Sequence, residues 1–147
     1  MPALTPALTP AFVHRFIVPP GDIDQLGHAS NIAYLRWIQD GAVLHASALG
    51  YDFARCVKLG VFFVVRRHEI DYLRPVVLGE ELESRTWLSA VMAAKCHRQT
   101  EISRTVDGAL VAKASTVWGC VDRERGRPTR VPREVKDALT GVTSPAL

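Results

Sequence analysis

Between residues 31 and 49 the apolar side chains of Tyr34, Leu35, Ile38, Ala42, Ala46 and Leu49 return every three or four positions, the spacing of one face of an α-helix. Gly50 ends the pattern, and Ser30 stands where a side-chain oxygen caps a first turn. The spacing predicts one long amphipathic helix starting at Asn31, whose backbone N–H finds no acceptor within the helix itself. Elsewhere the texture is extended. Residues 12–18 carry the β-branched and aromatic content of a strand and stop at Pro19-Pro20-Gly21. Four more runs follow at 61–73, 81–92, 95–106 and 110–122, with Asp107-Gly108 a hairpin signal because this pair readily supplies positive φ. Residues 52–59 add a short turn of helix, and a last short helix runs from Pro132 through Leu139.

In the final strand Leu110, Ala112, Ala114, Thr116, Trp118 and Cys120 alternate with Val111, Lys113, Ser115 and Val117, as expected of a sheet with one face against a helix. The run 95–106 is much more polar, so one of its faces is expected to be wet or to lie at a subunit boundary. One strand, one long helix and four consecutive strands make an α+β domain with a five-stranded antiparallel sheet wrapped around the helix. A single helix does not cover every apolar position of such a sheet, so a second copy of the chain is expected to complete it.

At 147 residues, 48% hydrophobic and 22% charged, the chain has the size and balance of one domain with a real core. Its start repeats Pro-Ala-Leu-Thr at 2–5 and 6–9, too short a unit for a repeat architecture. Residues 1–11 are therefore expected to be a flexible leader, 12–140 the single domain, and 141–147 a tail. No apolar run is long enough to cross a bilayer and the first residues lack the pattern of a secretory signal, so the cytoplasm is the expected compartment and no membrane partner is expected. Cys56, Cys96 and Cys120 are odd in number and lack any C-x-x-C pair, which suggests neither a disulfide framework nor a zinc site and reads as reduced core thiols. The formal charge of +3 is mild. Basic residues gather at Arg66-Arg67, at Lys95 with Arg98, and at Arg123, Arg125, Arg127 and Arg130, where solvated strand ends and turns are the ordinary explanation. Without an aromatic stacking platform or DNA-binding motif, no nucleic-acid partner is expected.

The candidate chemistry sits between the first strand and the long helix, in Gly21-Asp22-Ile23-Asp24-Gln25-Leu26-Gly27-His28-Ala29-Ser30-Asn31. This stretch aims a carboxylate at a helix N-terminus, where free N–H groups and the positive dipole end favour a developing negative charge. That pairing suits hydrolysis of a carbonyl compound. Asp22, Asp24 and His28 lack a fourth partner for a metal, and no metal or other cofactor is expected. No Gly-x-Ser-x-Gly elbow occurs, which disfavours a serine nucleophile.

The arrangement Asp-x-Asp-x-x-Gly-His-x-x-Asn-x-x-Tyr, with Arg36-Trp37 soon after the Tyr, resembles the 4-hydroxybenzoyl-CoA thioesterase family of hotdog-fold acyl-CoA thioesterases. Many relatives read His-Val-Asn-Asn where this chain has His28-Ala29-Ser30-Asn31. The resemblance implies the hotdog fold, a homodimer or homotetramer with acyl sites at the dimer interface, and hydrolysis of an acyl-CoA or acyl-carrier-protein thioester. By motif position Asp24 matches the catalytic carboxylate, as nucleophile or as general base, and the Asn31 N–H matches the oxyanion donor. His28 either polarises the carbonyl or orients the loop. Gly27 is expected to give a backbone conformation or close approach at the substrate, and Tyr34 either to contact substrate or to pack in the core or an interface. The resemblance also offers Arg66 and Arg67, or the cluster from Arg123 to Arg130, to coenzyme A phosphates or to an acidic acyl-carrier protein. Asp22, by contrast, is expected to serve the turn by bonding nearby amides. Two other readings stand beside hydrolysis: an acyl-ligand binding module without turnover, and a hotdog enoyl-CoA hydratase, which the spacing of Asp22 and Asp24 to His28 disfavours.

Overall fold

A computed structural model of the chain describes residues 10–141. Residues 1–9 and 142–147, most of the expected leader and tail, lie outside the described residues. The elements run β1 (Phe12–Ile17), α1 (Asn31–Ala48), α2 (Phe53–Leu59), β2 (Val61–Tyr72), β3 (Glu81–Val91), β4 (Lys95–Arg104), β5 (Leu110–Asp122) and α3 (Arg133–Thr140). All strand pairings are antiparallel, in the order β1-β3-β4-β5-β2. This is the five-stranded antiparallel sheet expected from the residue pattern, and the hotdog architecture that the resemblance implies. Among the described residues, no helix is long and apolar enough to cross a membrane.

Local chemistry explains the boundaries. The Ser30 hydroxyl accepts from the Ala33 N–H at 3.2 Å and starts α1, and the Asp52 carboxylate accepts from the Arg55 N–H at 2.9 Å and starts α2. Gly108, at φ +70°, closes the β4–β5 hairpin while the Asp107 carboxylate accepts from the Ala109 N–H at 3.0 Å. In β2 the pairing with β5 slips between Val65 and Arg67, which leaves Arg66 as the extra residue of a bulge.

The buried stripe of α1 comprises Ala33, Tyr34, Trp37, Ile38, Gly41, Ala42 and His45, packed on Leu82, Ile102, Ala112 and Ala114 of the central strands. It is rotated from the stripe that apolar spacing predicts: Leu49 is exposed, and Gly41 and His45 lie at the contact. Gly41 is there because the helix rides close to the sheet; a Cβ at this position would lie 3.4 Å from Ser84 Oγ and 3.5 Å from His14 Cε1. The opposite side of α1 is not purely polar either, with Ile32, Val43 and Leu44 all exposed. A second cluster, of Val61, Leu88, Cys96, Cys120, Val135 and Leu139, lies where α3 covers the other end of the sheet. Cys96 and Cys120 are core thiols as expected, each pushed up to about 11 by burial.

The polar strand β4 buries Arg98, Gln99 and Thr100, while His97, Glu101 and Ser103, on the same face as Gln99, are half-buried. Gln99 donates to Ser89 Oγ at 2.9 Å and accepts from Ser115 Oγ at 2.6 Å. Arg98 Nη1 donates to His45 Nδ1 and to Thr86 Oγ1, both at 3.0 Å, and Thr100 Oγ1 donates to Thr86 Oγ1 at 3.3 Å. These three side chains find partners on α1 and on the strands on either side, through His45, Thr86, Ser89 and Ser115.

The imidazole of His45 accepts from Arg98 and must be neutral to do so; burial, then the nearby guanidinium, lower it from 6.5 to about 4. A histidine depressed in the fold contributes fully above its unfolded pKa and loses that contribution as pH falls toward the folded one. Denaturant titrations from pH 6.5 down to 4 are expected to show a stability loss of about 3 kcal/mol from this group. In His45→Gln, which still accepts from Arg98, that part of the slope disappears.

Candidate active site

The loop before α1 is a miniature hairpin. Ile23 bridges Ala29, the Asp24 N–H donates to the His28 carbonyl at 2.9 Å, and the Gly27 N–H donates to the Asp24 carbonyl at 3.1 Å. Gly27 has φ +81°, the left-handed residue that closes a three-residue hairpin loop. A side chain there would be strained for backbone reasons alone. The loop is tied down by the Ala29 N–H, which donates to Val76 O at 2.8 Å, and by the Ser30 N–H, which donates to Asp22 O at 2.9 Å.

The two acids of this loop have separate environments. Asp22 is 3% exposed; its carboxylate accepts from Trp37 Nε1 at 3.0 Å and from Arg36 Nη1 at 2.5 Å. It does not serve the turn as expected; its partners are two side chains on the second turn of α1. The Arg36-Trp37 pair was visible in the sequence, but only the return of the chain onto the helix reveals what it binds. Asp24 lies on the exposed tip with Gln25, Leu26, Gly27 and His28. Its Oδ1 accepts from the Leu26 N–H at 2.8 Å, and Oδ2 has no partner among the described residues.

Asn31 opens α1 and is exposed. Its N–H meets no acceptor among the described residues, while its carbonyl accepts from the Tyr72 hydroxyl at 3.3 Å. Asp24, Gly27 and His28 thus form the tip of the hairpin and Asn31 the helix start at its base, with Leu26 and Ile32 81% and 70% exposed. Tyr34 is turned inward: it is 3% exposed, donates to the Arg74 carbonyl at 3.2 Å, and packs edge-on against Tyr72. Arg66 and Arg67 are not part of this loop. Arg67 pairs with Glu69, and Arg66 lies flat over Gly119, where a Cβ would meet its Nε at 2.8 Å.

Among the described residues lie two cavities of about 470 and 510 Å³, besides any smaller ones. The first borders Asp22, Arg36 and Trp37; neither is lined by Asp24, His28 or Asn31. Asp24, Gly27, His28 and Asn31 are all exposed, so the helix-start site of one chain is open to the outside.

Residues 18–139 match the model of the Thioesterase-like superfamily. The chain is 28% identical to "Putative acyl-CoA thioesterase YneP" of Bacillus subtilis (strain 168) over 116 residues, 79% of this chain and 83% of that protein. It is 24% identical over 134 residues to the chloroplastic palmitoyl-acyl carrier protein thioesterase of Gossypium hirsutum, covering 87% of this chain but only 32% of the plant protein. The fold superposes on a 1,4-dihydroxy-2-naphthoyl-CoA thioesterase from Synechocystis with TM-score 0.83 at 18% identity, over 92% of this chain and 99% of the other.

The geometry separates a structural acid from an exposed one, and stability measurements distinguish them. Asp22→Ala strands the buried Trp37 N–H and is expected to cost about 2–3 kcal/mol in urea denaturation, the worth of bonds to a charged acceptor. Asp24→Ala, which loses only an exposed turn contact, is expected to cost well under half of that.

Proposed function

The chain belongs to the Thioesterase-like superfamily, and from that membership we propose that it hydrolyses acyl-CoA thioesters at the start of α1, with Asp24 as the reacting carboxylate. The observation that carries this reading is the unclaimed Asn31 N–H at the positive end of an 18-residue helix, with the free Oδ2 of Asp24 at the tip of the hairpin that leads into it. As the thioester carbonyl is attacked, its oxygen gains negative charge, and a fixed N–H already aimed outward stabilises that charge without reorganising. Asp24 adds to the carbonyl carbon and expels the thiolate, leaving an anhydride that water cleaves, or it takes the proton of a water that attacks directly. His28, on the same tip, polarises the carbonyl or holds the loop.

An open site needs a wall. A second copy is proposed to supply it, giving a homodimer or homotetramer whose interface takes the exposed Leu26 and Ile32. The 12-residue strand β2 lies at a sheet edge, unpaired on its outer side among the described residues, and provides a natural pairing surface. Acyl-carrier-protein thioesters remain the second substrate class, supported by the plant relative's name.

Release of thiol from a panel running from acetyl- to palmitoyl-CoA, with benzoyl- and phenylacetyl-CoA included, tests the reading directly. On the best substrate Asp24→Asn is expected to lower turnover by roughly 10²–10⁴-fold without unfolding the chain. If this variant keeps most of the wild-type rate, Asp24 is not the reacting group.

The oxyanion donor is a backbone group, and its position makes it removable. Proline is tolerated at a first helical position, and Ser30, at φ −69° and ψ 155°, already has the extended conformation a following proline requires. Asn31→Pro is expected to cost about 3 kcal/mol in the transition state, on the order of 10²-fold in rate. Asn31→Ala, which keeps the N–H, should be much milder. For coenzyme A phosphates, Arg66 is the better placed of the two β2 arginines because Arg67 already has Glu69. Arg66→Gln is expected to raise KM for acyl-CoA more than Arg67→Gln does, with turnover at saturation little changed.

A further inference from the structure

Asn31, whose N–H is the proposed oxyanion donor, sits between two rigid peptide planes, and the donor keeps its aim only while both are held. The plane before it is held from within α1, because the Ser30 carbonyl accepts from the Ala33 N–H at 3.0 Å. The plane after it carries the Asn31 carbonyl. Its tie to the rest of the chain outside the helix is the Tyr72 hydroxyl, which donates to that oxygen at 3.3 Å. Tyr72 is the last residue of β2, and the chain that follows is fastened to β5: the Leu73 and Arg74 N–H groups both donate to the Val111 carbonyl, at 2.9 and 3.3 Å. Its ring meets Tyr34 edge-on with centroids 5.0 Å apart, and Tyr34 packs in turn on Trp37 at 4.9 Å. Tyr34 also returns a bond in the opposite sense, donating from the helix to the Arg74 carbonyl at 3.2 Å. The end of β2 and the first turn of α1 thus exchange one hydrogen bond each way, around a ring contact that limits how both phenols turn. The two halves of this exchange differ in burial. Tyr34 is 3% exposed and its hydroxyl needs a protein partner, whereas Tyr72 is 45% exposed and has water as an alternative. A hydroxyl that exchanges water for a carbonyl gains little stability, so what the Tyr72 bond supplies is direction.

We propose that Tyr72 is a positioning residue for the helix-start site: its hydroxyl holds the first peptide of α1 so that the Asn31 N–H is aimed at the thioester oxygen before charge develops there. The effect on turnover rests on the hydrolysis proposed above, whereas the hold on the helix start does not. Asp22 ties the same helix at Arg36 and Trp37, on its second turn, so the two attachments act on different turns.

Tyr72→Phe removes the hydroxyl and keeps the ring, so the variant is expected to fold with a urea midpoint close to that of the wild type. On the best acyl-CoA its turnover at saturation is expected to fall about tenfold while KM changes less than twofold, the signature of an interaction realised in the transition state. In Asn31→Pro, which has no N–H to aim, adding Tyr72→Phe is expected to change turnover less than twofold, because the two substitutions then remove the same contribution. Nitrogen-15 relaxation reads the hold without any substrate. The order parameters of the Asn31 and Ile32 amides are expected to fall in Tyr72→Phe, while those of Leu35 and Ile38 keep their wild-type values. Wild-type turnover in Tyr72→Phe overturns the proposal, as does a loss that persists undiminished in the Asn31→Pro background. Unchanged order parameters at Asn31 and Ile32 overturn it as well, and so does a loss of turnover that follows dissociation of the protein in sedimentation. If the wild type cleaves no thioester, the reading of Asp24 fails by itself; a fall in the two order parameters then retains the hold of Tyr72 on the helix start, and no fall refutes it.

Discussion

The carboxylate of Asp22 ties the loop before α1 to the second turn of that helix, through Trp37 Nε1 and the guanidinium of Arg36. Everything at the helix start depends on this clamp. Without it the hairpin from Ile23 to Ala29 would be joined to α1 only through Ser30, and the exposed Asp24 would have no fixed place relative to the Asn31 N–H. A buried carboxylate is costly to desolvate, and the structure compensates with two donors rather than one. The loop can therefore be exposed at its tip and still be rigid at its base. Rigidity at the base is what a preorganised site requires, because a donor that moves as charge develops stabilises it less.

Much of this was legible in the chain. The five strands and the three helices lie within a residue or two of where periodicity and turn residues put them, because Ser30, Asp52, Gly60 and Asp107-Gly108 are chemically unambiguous boundaries. The motif around Asp24 was legible as a group for the same reason: its members are neighbours in sequence and their hydrogen bonds are local. What was not legible involves contacts between distant segments. The rotation of the α1 stripe toward Gly41 and His45 follows from the close approach of the helix to Ser84 and His14, which no local pattern encodes. The partners of Asp22 are separated from it by a turn and most of two helical turns, so a short-range reading assigned it to nearby amides.

The polarity of β4 shows what a strand pattern leaves open. Polar residues on a strand are ordinarily read as facing water, yet Arg98 bonds His45 and Thr86, Thr100 bonds Thr86, and Gln99, on the opposite face of the sheet, bonds Ser89 and Ser115. Composition reports which groups must be satisfied and not who satisfies them. Among the described residues the chain leaves buried side-chain polar atoms of His14, Ser84, His97, Arg98 and Trp118 without a partner, so the satisfaction is not complete.

The bulge at Arg66 has a consequence for how this sequence is written. Before it, Val61, Phe63 and Val65 stand opposite Asp122, Cys120 and Trp118; after it, His68, Ile70 and Tyr72 stand opposite Thr116, Ala114 and Ala112. The inward positions of β2 are odd-numbered on one side and even-numbered on the other, so Arg66 acts as a spatial frameshift that keeps both halves facing the same way. Its own side chain spreads over Gly119, the residue of β5 that has no side chain. Removing Arg66 alone would restore regular pairing and leave those six residues of β2 in unbroken alternation, so the sheet is built around an insertion that its inward face does not need.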